Sequence, residues 1–165
     1  MLAAVQIACL IVLALLLVAA AWQDLRSMRI ADGISLGIVA SFIAWAAAGV
    51  AAGSYSFGSL GLALACAVGV FLLGALAFAA GGLGGGDVKL AAATSLFAGP
   101  GLLLDFALIV AVAGGVLGLA ILAGAPIGPV TAGDQTVRAR LGHNLPYGPA
   151  IALGGLWVAF SLASI

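Results

Sequence analysis

The chain has 165 residues, 65% hydrophobic and 6% charged, which excludes an ordinary soluble domain, where roughly 25% of residues are charged. Its formal net charge is zero, so no basic stripe exists to hold nucleic acid. The two cysteines, Cys9 and Cys66, stand singly inside apolar runs, which excludes a zinc ribbon and supplies no disulfide framework.

Leu2 to Trp22 is apolar apart from Gln6, about the length that crosses a bilayer. No basic residue precedes it and it is too long for an h-region, so a cleaved signal peptide is not expected. The polar segment Gln23 to Asp32 follows, then a second apolar span, Ile34 to Ala52, and a turn, Gly53 to Ser59. Leu60 to Ala80 is the third span and leads into a glycine-rich stretch. Val88 to Ala98 is the fourth span, and it stops at Gly99-Pro100-Gly101, a strong turn signal. Leu102 to Ala123, carrying Asp105, is the fifth. The polar loop Ala125 to Asn144 holds Asp134, Arg138, Arg140 and His143, and Pro146 opens the last span. The expected fold is an all-α integral membrane protein, a single domain over residues 1–165. It is a bundle of six transmembrane helices whose fourth is short and preceded by glycine.

That fourth span is too short. Its helix covers only about 17 Å of a hydrocarbon core roughly 30 Å thick. The stretch before it, Gly81-Gly82-Leu83-Gly84-Gly85-Gly86-Asp87, must therefore dip into the membrane or line a wet recess, the only places where irregular backbone is tolerated at depth. Asp87 then reads either as a functional carboxylate or as an N-cap for the helix after it.

With six spans, Arg26, Arg29, Lys89, Arg138 and Arg140, which are all the cations in the chain, fall on one face. The positive-inside rule makes that face cytoplasmic and both termini external, and chance alone gives such agreement about one time in sixteen.

The same arithmetic sets Asp24, at the cytoplasmic end of span one, at the depth of Asp87. Two facing aspartates in a poorly hydrated site tend to share one proton. The ionised member can draw a proton from an attacking water while the protonated one donates to a peptide carbonyl. Such a dyad needs neither cofactor nor metal, and the lone His143 has no companion at ligand spacing. No serine sits in a Gly-x-Ser-x-Gly elbow. Walker A fails too, because Val88 precedes Lys89 and Leu90 follows it.

Gly84-Gly85-Gly86-Asp87-Val88-Lys89-Leu90 resembles the Gly-x-Gly-Asp signature of the prepilin peptidases, membrane aspartic proteases. Asp24-Leu25-Arg26 with Arg29-Ile30 is similar to their other aspartate motif. Leu145-Pro146-Tyr147-Gly148-Pro149-Ala150 resembles the opening of their last helix. The short chain looks like the minimal Flp/Tad-type subgroup. It departs from many relatives in having Ala31-Asp32 where they have Pro-Asn, and Asp32 is expected to cap the helix beginning near Ile34.

The resemblance implies a type IV prepilin-like leader peptidase. It would use Asp24 and Asp87 to cleave pilin-like (Flp) precursors at the cytoplasmic face of a bacterial or archaeal membrane, with no methyltransferase domain. Its partners would be the precursor and the lipid bilayer, and a homo-oligomer is compatible with this reading. Gly84, Gly85 and Gly86 are expected to admit substrate backbone, with Arg26, Lys89, Pro146 and Tyr147 in support.

Two alternatives stand beside it. A presenilin-like or signal-peptide-peptidase-like protease would place its second aspartate on the preceding span, which here has no acid. A small proton-coupled transporter would use the same two carboxylates as carriers. Simpler roles are expected elsewhere. Arg26, Arg29 and Lys89 suit helix ends at headgroups, and Asp105 suits an outer interface. Trp22, Trp45 and Trp157 suit interfacial belts, and Gly114, Gly115, Gly118, Gly154 and Gly155 suit close helix packing.

Overall fold

The structure, a computed structural model, describes residues 1–123 and 146–164. Among them are five helices and no strand: α1 (Leu2–Ser27), α2 (Asp32–Ala51), α3 (Phe57–Ala79), α4 (Gly85–Leu122) and α5 (Gly148–Ala163). The first four are long and apolar enough to cross a membrane, and α5 is a shorter apolar helix. Asp134, Arg138, Arg140 and His143 lie outside the described residues.

Six helices are expected from the sequence and five are found. The difference lies in α4, which takes in both the fourth and the fifth expected spans. It is not straight. Gly99 has φ 52° and ψ −166°, and Pro100 follows it. Positive φ costs glycine nothing, and proline supplies no N–H to the preceding turn. The neighbours of α5 show how far the chain turns there. A Cβ on Gly154 would lie 2.9 Å from Phe106 and a Cβ on Gly155 would lie 2.7 Å from Thr94. In a straight helix those two residues would be about 18 Å apart. They flank adjacent glycines, so α4 folds back on itself at Gly99 into two limbs. The first limb also begins at Gly85 rather than Val88, because glycine is tolerated in a first turn whose N–H groups have no intrahelical partner.

Helix α5 lies between α1 and α4, with α2 against α1 and α4, while α3 packs on α4 alone among the major contacts. Lipid-facing and core-facing positions are both apolar here, so packing shape rather than hydrophobicity selects neighbours. Gly154 and Gly155 illustrate this, since a Cβ on either would come within 2.8 Å of Val110 or 2.6 Å of Leu17. Gly114 serves in the same way against Tyr147, whereas Gly115 meets nothing within 4 Å.

One tryptophan is misplaced by the sequence reading. Trp45 is 9% exposed and packs against Phe42, Tyr55 and Phe97 with ring centroids 5.1 to 6.2 Å apart. It is a core residue and not part of an interfacial belt. Each such aromatic pair contributes about 0.5–1.5 kcal/mol beyond its burial. Trp22 and Trp157 remain exposed.

The ends of the bundle are now defined. Arg26 and Arg29, the start of α2 and the start of α4 share one end with the N-terminus of α5. The Gly53 turn and the Gly99 bend lie at the other, and Asp105 is exposed shortly after that bend.

Candidate active site

Asp24 sits in the last turn of α1 and is 4% exposed. The helix stops just beyond it because Met28 takes the left-handed conformation (φ 52°, ψ 30°) and donates its N–H to the Asp24 carbonyl. The strand of chain leading to α2 is tied back onto the same turn. The Ala31 N–H donates to Gln23 Oε1 over 3.2 Å, and Ser27 Oγ donates to the Gln23 carbonyl over 2.8 Å.

The side chain of Asp24 is held from the opposite direction. Gly148, the first residue of α5, donates its N–H to Asp24 Oδ2 over 2.7 Å. A helix N-terminus has free N–H groups and a partial positive charge, so a carboxylate is favoured there. Pro149 in the first turn sacrifices no helix hydrogen bond. Side-chain size at Gly148 is tightly limited, since a Cβ would stand 2.7 Å from Asp24 Cβ. Pro146 is fully buried, and the Tyr147 ring lies against Gly114, where a Cβ would meet it at 3.0 Å.

Asp87 is the third residue of α4 and is 6% exposed. Its Oδ2 accepts the N–H of Gly84 over 3.2 Å, the backward-reaching half of a capping box. The cap alternative is therefore partly realised. It occupies only one oxygen: Oδ1 is buried with no hydrogen-bond partner among the described residues. Buried acceptors are nearly always satisfied, so a bare carboxylate oxygen calls for an explanation in chemistry.

Both carboxylates line one cleft of about 350 Å³, together with Met28, Arg29, Ile30, Asp32, Gly84, Gly85 and Gly86. Two of the glycines also meet the chain's own residues. A Cβ on Gly84 would lie 2.8 Å from Asp87 Oδ2, and one on Gly86 would lie 3.2 Å from Ile30 Cβ. At those two positions the missing side chains make room for Asp87 and Ile30, and the Ile30 backbone lies against the start of α4.

The basic residues also find partners inside the chain. Lys89 reaches Asp32 Oδ1 at 2.8 Å, and Arg26 stacks over the Trp22 ring at 4.3 Å. Asp32 does not cap α2. It is the first residue of that helix, whose N-cap position is Ala31 with no side-chain cap bond. Of the residues singled out from sequence, Asp24, Asp87 and the three glycines converge on the cleft, while Arg26 and Lys89 do not line it. Arg29 and Ile30 line the cleft and Gly148 holds Asp24, contributions that the sequence names only as parts of its motif resemblances. Beside that resemblance, a glycine lying between two prolines at a helix start is a local signal for Gly148, because such a site suits close backbone approach.

Compared with known proteins, residues 11–119, about two thirds of the chain, match the model of the type IV leader peptidase family, Peptidase_A24. No curated protein and no solved structure matches it.

Proposed function

We propose an aspartic mechanism for this chain, which belongs to the type IV leader peptidase family. The observation that carries it is one cleft lined by two buried aspartates from different helices, one of them with an oxygen that has no partner among the described residues. In this reading Asp24 and Asp87 share one proton, because two adjacent carboxylates do not both ionise cheaply. A water between them gives its proton to the ionised carboxylate as its oxygen adds to the peptide carbonyl carbon. The protonated carboxylate donates to the carbonyl oxygen, producing a tetrahedral diol. The C–N bond then breaks as the carboxyl proton passes to the leaving nitrogen and a diol hydroxyl gives its proton to the other carboxylate, which restores the single shared proton of the dyad. The N–H groups of Gly148 and Gly84 fix one oxygen of each acid, so the free oxygens face the reacting atoms without reorganising.

The substrate in this reading is a type IV pilin-like precursor of the Flp class, cut at the junction of its leader and apolar helix on the cytoplasmic membrane face. The cation-bearing end of the bundle supports that orientation through the positive-inside rule. The test is purified protein incubated with such a precursor. Release of the leader by the wild type, and none by Asp24→Asn or Asp87→Asn, is the expected result. Leader release by either variant at matched protein levels would refute the dyad. Proton-dependent solute flux without cleavage would put the carboxylates to use as carriers instead.

A further inference from the structure

A second cavity adjoins the cleft. It measures about 390 Å³ and lies between α2 and α3 on a floor formed by the first limb of α4. Leu36 and Val39 form one wall, Ala67 and Phe71 the other, and Ala93 part of the floor. Asp32 lines this groove and also the cleft, so the two adjoin at its side chain. We propose that the groove seats an apolar helical segment of the substrate, contiguous with the scissile peptide. This rests on the proteolytic reading above.

Three features argue for that occupant. Direction is the first. From Asp32 to Val39 the groove descends about 10 Å along α2, away from the cleft and into the apolar part of the bundle. A peptide that continues from the cleft along this path must be apolar, and in lipid it must also be helical to satisfy its backbone.

Size is the second. Two turns of helix about 10 Å wide occupy on the order of 800 Å³, twice the groove. The groove therefore takes one face of a helix, the usual mode in which an apolar helix lies in a groove. Small side chains at Ala67 and Ala93 let the backbone come near, as at helix contacts in membranes.

The mouth is the third. The Lys89–Asp32 ion pair spans α4 and α2 where groove meets cleft, with side chains 51% and 66% exposed, and of the two only Asp32 also reaches the cleft. An exposed pair of this kind is easily broken or displaced, so it would part for a peptide that runs from cleft to groove.

Cross-linking tests the proposal on the full chain. Cys9 and Cys66 are replaced by alanine, and single cysteines are placed at Leu36, at Phe71 on the opposite wall, and at Leu153 as an exposed control on α5. The probe is a type IV pilin-like precursor with one cysteine in the first two turns of its apolar segment. Cross-linking to both Leu36→Cys and Phe71→Cys, at least tenfold above Leu153→Cys and suppressed by cysteine-free precursor, is expected.

Precursor that is cleaved yet cross-links no better at the walls than at the control would overturn the groove and leave the cleavage reading intact. So would Leu36→Cys cross-linking to a second copy of this chain in preference to precursor. Absence of cleavage by the wild type sinks the proteolytic reading itself, which separates the two failures. A kinetic variant adds an independent measure. Ala67→Leu fills the groove and should raise KM for precursor about tenfold with kcat little changed, since it removes binding common to ground and transition states. An unaltered KM in a folded variant overturns the proposal.

Discussion

The backbone N–H of Gly148 donates to Asp24 Oδ2 over 2.7 Å, joining the last described helix to the first across most of the chain. The contact depends on a missing side chain, because a Cβ on Gly148 would stand 2.8 Å from that same oxygen.

Gly148→Ala should therefore displace the Asp24 carboxylate, the α5 N-terminus or both. Overpacking of this kind costs about 1–3 kcal/mol of stability. The loss of activity should exceed what stability explains, because a displacement near 1 Å in a reacting group costs about a hundredfold in rate. Precursor cleavage and thermal unfolding measured on the same detergent-solubilised variant separate the two. Full activity would show that Asp24 needs no donor from α5.

Gly86 gives a second test. If the glycine only admits substrate, a side chain there blocks cleavage whatever stands at Ile30. The geometry predicts otherwise, with Ile30 Cβ 3.2 Å from a Cβ at position 86. Gly86→Val should lower cleavage at least tenfold, and adding Ile30→Ala should recover part of it, as coupled neighbours do. No recovery in a folded double variant would return Gly86 to a role at the substrate.

Much of the site is legible in the sequence because charge is so scarce. With five acidic residues in the chain, two aspartates near span ends stand out, and helix arithmetic brings them to one end of the bundle. What is lost is whatever depends on which face of a helix looks inward. In lipid both faces are apolar, so Trp45 looks the same whether it anchors at an interface or fills the core. Partners of charged side chains are equally hidden, since Lys89 is close in sequence to Asp87 yet reaches Asp32 from a different helix. The joining of two spans into α4 has a local cause. Gly99-Pro100 is readable as a stop, but whether helical geometry resumes at once depends on tertiary contacts such as Phe106 against Gly154.

The Lys89–Asp32 pair should matter little to stability. Both side chains are more than half exposed, and such pairs contribute about 0–1 kcal/mol. Lys89→Met and Asp32→Asn should each leave the unfolding midpoint within a few degrees of the wild type. A large fall in either would mean that the pair supports the fold as well as bordering the groove.

Topology is open to direct measurement. Gly33 is exposed at the start of α2, and a side chain there meets nothing within 4 Å. Ala52 is exposed at the opposite end of that helix. Gly33→Cys and Ala52→Cys, in a background lacking Cys9 and Cys66, should react with a membrane-impermeant maleimide from opposite sides. Ala52→Cys should label in intact cells and Gly33→Cys only after permeabilisation. The reverse pattern would turn the cleft outward.

The most searching prediction divides capping from chemistry at Asp87. Asparagine keeps a side-chain oxygen able to accept the Gly84 N–H now bonded to Asp87 Oδ2 at 3.2 Å, as amide side chains do at this position of a capping box. Asp87→Asn should therefore fold and insert as the wild type does, with the start of α4 intact. Cleavage should nonetheless disappear, because an amide neither takes a proton from water nor passes one to a leaving nitrogen. Asp24→Asn should behave alike, and the double variant should be no worse than either single, since members of one catalytic unit do not contribute additively. Glutamate is the complementary probe. It keeps the acid but moves it by about an ångström, enough to cost much of the rate. Matched unfolding curves with cleavage lost in Asn and Glu variants alike would leave proton transfer at a fixed position as the common requirement. Cleavage retained by Asp87→Asn would reduce that residue to a helix cap.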